Sequence, residues 1–120
     1  MVTFWAAALG YDVEFPTGSQ EEKEFLARFP GIEGTAGAIS DPTGEGPRFY
    51  FQKVPEPKTV KNRVHVDVRV GDVDAAVTKL CDLGGRVLER DKTNIFDEVW
   101  TIMADPEGNE FCVTELKPEV

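Results

Sequence analysis

The order of apolar and polar residues changes period along the chain, and each change marks an element. Val2 to Leu9 joins helix formers with aromatics, and Gly10, free to turn left-handed, predicts where that helix stops. Tyr11-Asp12-Val13-Glu14-Phe15 then alternates as a strand does. Ser19-Gln20-Glu21-Glu22 has the form of a capping box, in which Ser19 and Glu22 satisfy each other's backbone donors. It opens a short amphipathic helix with Phe25, Leu26 and Phe29 on one face, stopped by Pro30-Gly31. A glycine-diluted strand is expected within residues 32–40, followed by a turn at Asp41-Pro42-Thr43-Gly44. Phe49 and Phe51 alternate with Arg48, Tyr50 and Gln52 in a further strand.

Pro55-Glu56-Pro57-Lys58 reads as a linker, because its prolines hold the backbone extended and block helix. Val64-His65-Val66-Asp67-Val68-Arg69-Val70 has the sharpest alternation in the chain. Its four valines face one way, and His65, Asp67 and Arg69 the other. Asp72 caps an expected helix through Leu83, with Val73, Ala76, Val77 and Leu80 as its apolar stripe and Gly84-Gly85 as its end. Strands are expected from Arg86 to Glu89, from Ile95 to Met103 and from Asn109 to Glu115, the last two joined by an Asp105-Pro106-Glu107-Gly108 turn.

These elements repeat. Leu9-Gly10-Tyr11 and Leu83-Gly84-Gly85 each end a helix and open a strand, while Asp41-Pro42-x-Gly44 and Asp105-Pro106-x-Gly108 each lead into a last strand. Gly10 to Asp41 spans 31 positions and Gly84 to Asp105 spans 21, so the helix around Ser19–Phe29 reads as an insertion in the first copy. The pattern is two βαβββ units in a single domain of 120 residues: module 1 over 1–54, a linker over 55–62 and module 2 over 63–120. His65 lies 19 positions before Gly84, a distance for which the first copy has no room. Its opening strand is therefore expected to be missing, through a late start or because a partner fills the space. The sheet edge left bare would favour a homodimer that covers or completes it.

Three segments carry a family resemblance: Phe4-Trp5-Ala6-Ala7-Ala8-Leu9-Gly10-Tyr11; Phe51-Gln52-Lys53-Val54-Pro55-Glu56-Pro57-Lys58 with Lys61-Asn62-Arg63-Val64-His65-Val66-Asp67; and Asp105-Pro106-Glu107-Gly108-Asn109-Glu110-Phe111-Cys112. Together they resemble bacterial glyoxalase-like domains of the glyoxalase/bleomycin-resistance/extradiol-dioxygenase (vicinal oxygen chelate) superfamily. The resemblance implies an α+β fold of paired βαβββ modules, with curved mixed sheets around a cavity, helices outside and often a dimer. It is specific for fold and weak for chemistry, because one scaffold hosts isomerases, dioxygenases, epimerases, thiol transferases and drug-sequestering proteins.

In metal-using members the resemblance implies one ligand on the first strand and one on the last strand of each module. In module 2 those positions match His65 and Glu110, the candidate catalytic and metal-ligating pair. Alternation separately places His65, Asp67, Glu110 and Cys112 on the face away from the valines and from Phe111 and Val113. An imidazole with a carboxylate suits zinc, iron, manganese or nickel. Module 1 supplies no second pair: its last strand offers Arg48, Tyr50 and Gln52, and a cation opposes a metal. Two protein ligands hold a transition metal poorly, so three readings of His65 and Glu110 stand side by side: a metal site, metal-free acid–base work, and a hydrogen-bonded structural pair. Arg48, Tyr50, Gln52, Asp67, Trp100 and Cys112 are candidate pocket residues. Phe4 and Trp5 read as core, and Glu21, Glu22 and Glu24 as a solvated helix face.

Composition narrows the function classes. The net charge of −9 argues against a nucleic-acid role, because phosphate binding needs a Lys/Arg surface. It also leaves room for attraction of cationic ligands. No apolar run reaches the length of a membrane span, and the N-terminus lacks the order of a secretory signal, so a cytoplasmic address is expected. Cys81 and Cys112, without a metal-type spacing, are expected to be buried reduced thiols. The functional expectation is a small-molecule-binding protein acting as a metal-assisted lyase, isomerase or dioxygenase on a small oxygenated substrate. The alternatives are a non-catalytic protein that sequesters a drug or other ligand, and a degenerate dimeric interaction module.

Overall fold

The computed structural model describes residues 1–16, 18–28, 36–93 and 99–115. It divides into two compact units, Met1–Pro57 and Lys58–Val120.

The first unit opens with helix α1 (Val2–Leu9), which ends where Gly10 adopts φ 69°. Strand β1 (Asp12–Val13) follows, then helix α2 (Gln20–Arg28), strand β2 (Ala36–Ser40) and strand β3 (Phe49–Gln52). The three strands form an antiparallel sheet in the order β1-β2-β3. Phe4, Trp5 and Ala6 of α1 are buried with Ala38 and Ile39 of β2. The indole of Trp5 stacks on Phe49 at 6.4 Å, and Tyr11 meets the same ring edge-on at 6.1 Å. The helix approaches the sheet over Gly37, where a methyl group would come within 2.6 Å of Val2 Cγ2. The Ser19 hydroxyl caps α2 by accepting from Glu22 N–H at 3.1 Å, while the Glu22 carboxylate takes the N–H of Gly18 rather than that of Ser19. Phe25 of this helix stacks on Phe15 at 4.5 Å. The expected contribution of Phe29 and the stop at Pro30-Gly31 lie outside the described residues.

The second unit contains strand β4 (Asp67–Val70), helix α3 (Val73–Asp82), and strands β5 (Arg86–Thr93), β6 (Val99–Ala104) and β7 (Glu110–Glu115). Their sheet runs β4-β7-β6-β5, with β4 parallel to β7 and the other pairs antiparallel. Asp72 caps α3 by accepting from Ala75 N–H at 3.0 Å. The helix packs on β5 and β7 and buries Val77 and Leu80. Val68, Thr101, Met103, Phe111 and Val113 form the buried layer of the sheet. Register places Val68 beside Val113, Thr101 beside Val113, and Met103 beside Phe111, so these residues share one face. Asp67, Trp100, Ile102, Cys112 and Thr114 alternate onto the other.

The repeat holds in detail. Asp41 and Asp105 play equivalent parts, each accepting two backbone N–H bonds from its own turn, from Thr43 and Gly46 in the first and from Glu107 and Asn109 in the second. Gly44 and Gly108 follow in the left-handed region at φ 76° and 88°. Sheet β1-β2-β3 corresponds to β5-β6-β7, and among the described residues of the first unit no strand corresponds to β4. Among the described residues the fold is α+β, with two sheets, three helices and a first module one strand shorter than the second.

Three local expectations need correction. The strand expected from Val64 begins only at Asp67, and Val64 is exposed. Val66 O still accepts from Cys112 N–H of β7, while further back Asn62 binds Glu110. Strand β5 runs to Thr93, beyond Glu89, because it pairs with β6 as a long hairpin whose register shifts after Val87 and again after Glu89. Cys81 is exposed, since its place on α3 lies off the stripe that Val77 and Leu80 bury. The strand expected from Ile95 is described only from Val99.

Candidate functional site

The sheet face turned away from α3 gathers the polar chemistry of the second unit. Asp67 begins β4 directly beside Cys112 of β7, and Cys112 N–H donates to Val66 O at 3.0 Å, which fixes the two strands at that point. His65, two residues before Asp67, meets it there: His65 Nε2 and Asp67 Oδ1 are 2.8 Å apart. Both side chains are about half exposed, at 52% and 54%, whereas Cys112 is buried. The imidazole nitrogen, carboxylate oxygen and thiol sulfur of His65, Asp67 and Cys112 lie within 4.8 Å of one another. Burial pushes the Cys112 thiol up to about 11, helped by the negative charge of Asp67 and opposed by Lys61.

Glu110 is held differently. Its carboxylate lies 3.3 Å from Lys58 Nζ and accepts from the backbone N–H of Asn62 at 3.4 Å. Asn62 Nδ2 also donates to the Glu110 carbonyl oxygen at 2.8 Å, so one loop grips both ends of the residue. Its own backbone N–H leads in holding the carboxyl below its ordinary value, with Lys58 and Asn62 adding to the effect against partial desolvation.

The remaining candidates divide between the units. Trp100, opposite Thr114 on β6, shares the Cys112 face and is half-buried. Arg48, Tyr50 and Gln52 lie at the last strand of the first unit and are exposed. Register makes Arg48 the counterpart of Glu110 and Tyr50 that of Cys112, because Ile39–Phe49 and Met103–Phe111 are equivalent pairs. Arg48 Nε donates to Glu14 at 2.6 Å and its guanidinium lies 5.8 Å from the Tyr50 ring centre. A cation tied to a carboxylate thus stands where the second repeat has an acid.

The donor set decides whether a divalent metal fits. One imidazole, one carboxylate and one thiol within 4.8 Å of one another are the ligand types that zinc-like ions take. The residues present therefore fit such an ion. Lys58 and Asn62 were not singled out by sequence reasoning. No local pattern connects Lys58 to a glutamate 52 positions away.

Comparison with known proteins agrees with this architecture. Among curated proteins no sequence matches this chain. Solved structures do. A glyoxalase/bleomycin resistance protein/dioxygenase family enzyme from Burkholderia phytofirmans is 12% identical with a TM-score of 0.65, over 96% of this chain and 87% of that one. A superfamily member from Sphaerobacter thermophilus is 18% identical with a TM-score of 0.54, over 96% and 85%. Protein ATC0852 from Agrobacterium tumefaciens is 18% identical with a TM-score of 0.60, over 98% and 86%. At these identities the likeness is one of fold. The sequence itself matches the model of the family described as glyoxalase-like domain over residues 1–114. The chain belongs to that glyoxalase-like family.

Proposed function

We propose that this protein binds a small oxygenated molecule at the open face of its second sheet, over one divalent metal held through His65, and acts on it as a metal-assisted lyase or isomerase. Family membership makes it a small-molecule-binding protein. The observation that carries the finer reading is the His65–Asp67–Cys112 cluster, on the face where the resemblance expects a ligand. A bound divalent ion supplies Lewis acidity, polarising an oxygen of the ligand. The chain's own groups do the rest. Asp67 Oδ1 lies 2.8 Å from His65 Nε2, which keeps the two side chains at one point of the face. Trp100 and Ile102 give the ligand an apolar wall, and Thr114 adds a hydroxyl on the same face. Free Cys81 and Cys112 support a cytoplasmic address, where thiols stay reduced. Among the described residues no helix is long and apolar enough to cross a membrane. A homodimer that covers the outer side of β3 completes the proposal, since among the described residues β3 pairs only with β2, whereas β7, the equivalent strand, has neighbours on both sides.

Metal content of protein purified without chelator tests this reading. Stoichiometric metal, lost in His65→Ala, is expected. A metal-free protein that still binds its ligand would overturn it.

A second reading, a ligand-sequestering protein without chemistry, is favoured by one observation: Lys58 and Asn62 hold the Glu110 carboxylate that the resemblance pairs with His65. A thermal-shift panel of drugs and metabolites, run with and without metal, separates the two. A ligand at about 100 times its Kd adds about 2.7 kcal/mol of stability. Stabilisation that ignores metal would favour sequestration.

A further inference from the structure

The geometry points to a three-donor metal site made by His65 Nε2, Asp67 Oδ1 and Cys112 Sγ, from which Glu110 is excluded, and which takes zinc-class ions in preference to magnesium or calcium. This inference rests on the reading above that a metal is held through His65, and it names the other donors.

Strand register is the first argument. Asp67 and Cys112 are direct partners across the parallel β4–β7 pair, so their side chains leave the sheet side by side. His65, two residues before the strand begins, already touches Asp67 at 2.8 Å. Donors around one tetrahedral ion, with metal–nitrogen, –oxygen and –sulfur bonds near 2.0–2.3 Å, sit about 3.3–3.5 Å apart. The His65–Asp67 contact would open by about half an ångström, and the wider cluster, within 4.8 Å, would close. Rotamer-scale movement of two half-exposed side chains achieves both.

Charge is the second argument. A neutral imidazole, a carboxylate and a thiolate bring two negative charges, which a divalent ion neutralises. The Cys112 thiol gives up its proton to solvent as the sulfur–metal bond forms, and no electrons are transferred. Glu110 stands two residues before Cys112 on the same face. Yet Lys58 Nζ at 3.3 Å and the Asn62 N–H at 3.4 Å occupy its oxygens, and the ammonium opposes a second cation there. Lys58 is itself anchored by donating to the Val60 carbonyl. A thiolate donor is soft, which sets zinc and cobalt apart from magnesium and calcium. The half-exposed His65 and Asp67 leave one side open to solvent, as a site that also receives a ligand requires.

The test uses the full chain carrying Cys81→Ser, which removes the exposed thiol, stripped with chelator and titrated with Co(II). The expected result is a near-ultraviolet sulfur-to-cobalt charge-transfer absorption that saturates at one equivalent, is bleached by Zn(II) and is unaffected by magnesium or calcium. Cys112→Ser abolishes the band. Because Cys112 is buried and its loss can perturb folding, His65→Gln and Asp67→Asn, at exposed positions, provide the second arm: each lowers affinity at least about tenfold while the band persists. Glu110→Gln retains band and affinity. If Co(II) binds without the sulfur band, and Glu110→Gln weakens it while Cys112→Ser does not, the donor set is overturned and the His65 metal reading survives. If calorimetry detects neither Co(II) nor Zn(II) binding at millimolar concentration, both are overturned.

Discussion

Cys81 and Cys112 share a chemistry and differ in every circumstance that governs it. Cys81 is exposed on α3. Cys112 is buried, and its thiol is pushed up to about 11 by desolvation first and by the Asp67 charge second. Since the thiolate is the nucleophile, a thiol at that value is ionised to only about one part in a thousand at pH 8. Alkylation of the native metal-free protein at that pH should modify Cys81 first and leave Cys112 intact until the protein unfolds. Mass spectrometry of the labelled peptides checks the order, and equal labelling would place Cys112 in a different environment. Asp41 gives a second residue-level expectation. The backbone N–H of Thr43, then its hydroxyl, then the N–H of Gly46 hold its carboxyl below the ordinary value. A depressed folded value contributes stability above the unfolded carboxyl value, about 3.9, that is lost as pH falls through the lower folded value. Wild type should therefore exceed Asp41→Asn in Tm near neutral pH, and the two should converge in acid. A gap that widens on acidification would contradict that sign.

At the scale of elements, the strands and helices follow from periodicity, while their lengths and partners do not. Phe111 and Met103 face each other across β6 and β7 and are both fully buried. Phe111→Ala should cost about 3–5 kcal/mol in denaturant unfolding, the range for emptying a buried aromatic site. A loss below about 1 kcal/mol would show that the layer does not close around it. Helix α3 was legible down to its cap: Asp72→Ala should cost about 1 kcal/mol through the lost bond to Ala75 N–H. The face of β4 was equally legible, because Val68 and Asp67 must point opposite ways. That the strand starts only at Asp67 was not legible, since the cause is tertiary: Lys58 and Asn62 bind Glu110, and residues between them and β4 follow that path. The candidate site divides the same way. Alternation put His65, Asp67, Glu110 and Cys112 on one face; the described donors gather as His65, Asp67 and Cys112, while Lys58 and Asn62 hold Glu110.

For the whole molecule, the repeat organises everything else. Two turns with the same aspartate-and-glycine construction, two helices ending at left-handed glycines and two matching strand triplets establish the duplication. Divergence within it is chemical: Arg48, tied to Glu14, replaces the acid of the second copy, so the metal-type donors collect in one unit. Among the described residues β3 pairs only with β2, and a second copy of the chain is the proposed cover for its other side. Light scattering at high concentration should return a dimer mass, and a monomer would remove that part of the account. The central claim is that His65 anchors a metal on the open face of the second sheet. Anomalous diffraction at the absorption edge of zinc, from zinc-loaded crystals, tests it most directly. One peak is expected within bonding distance of His65 Nε2, Asp67 and Cys112; a peak elsewhere, or none beside His65, would contradict the claim.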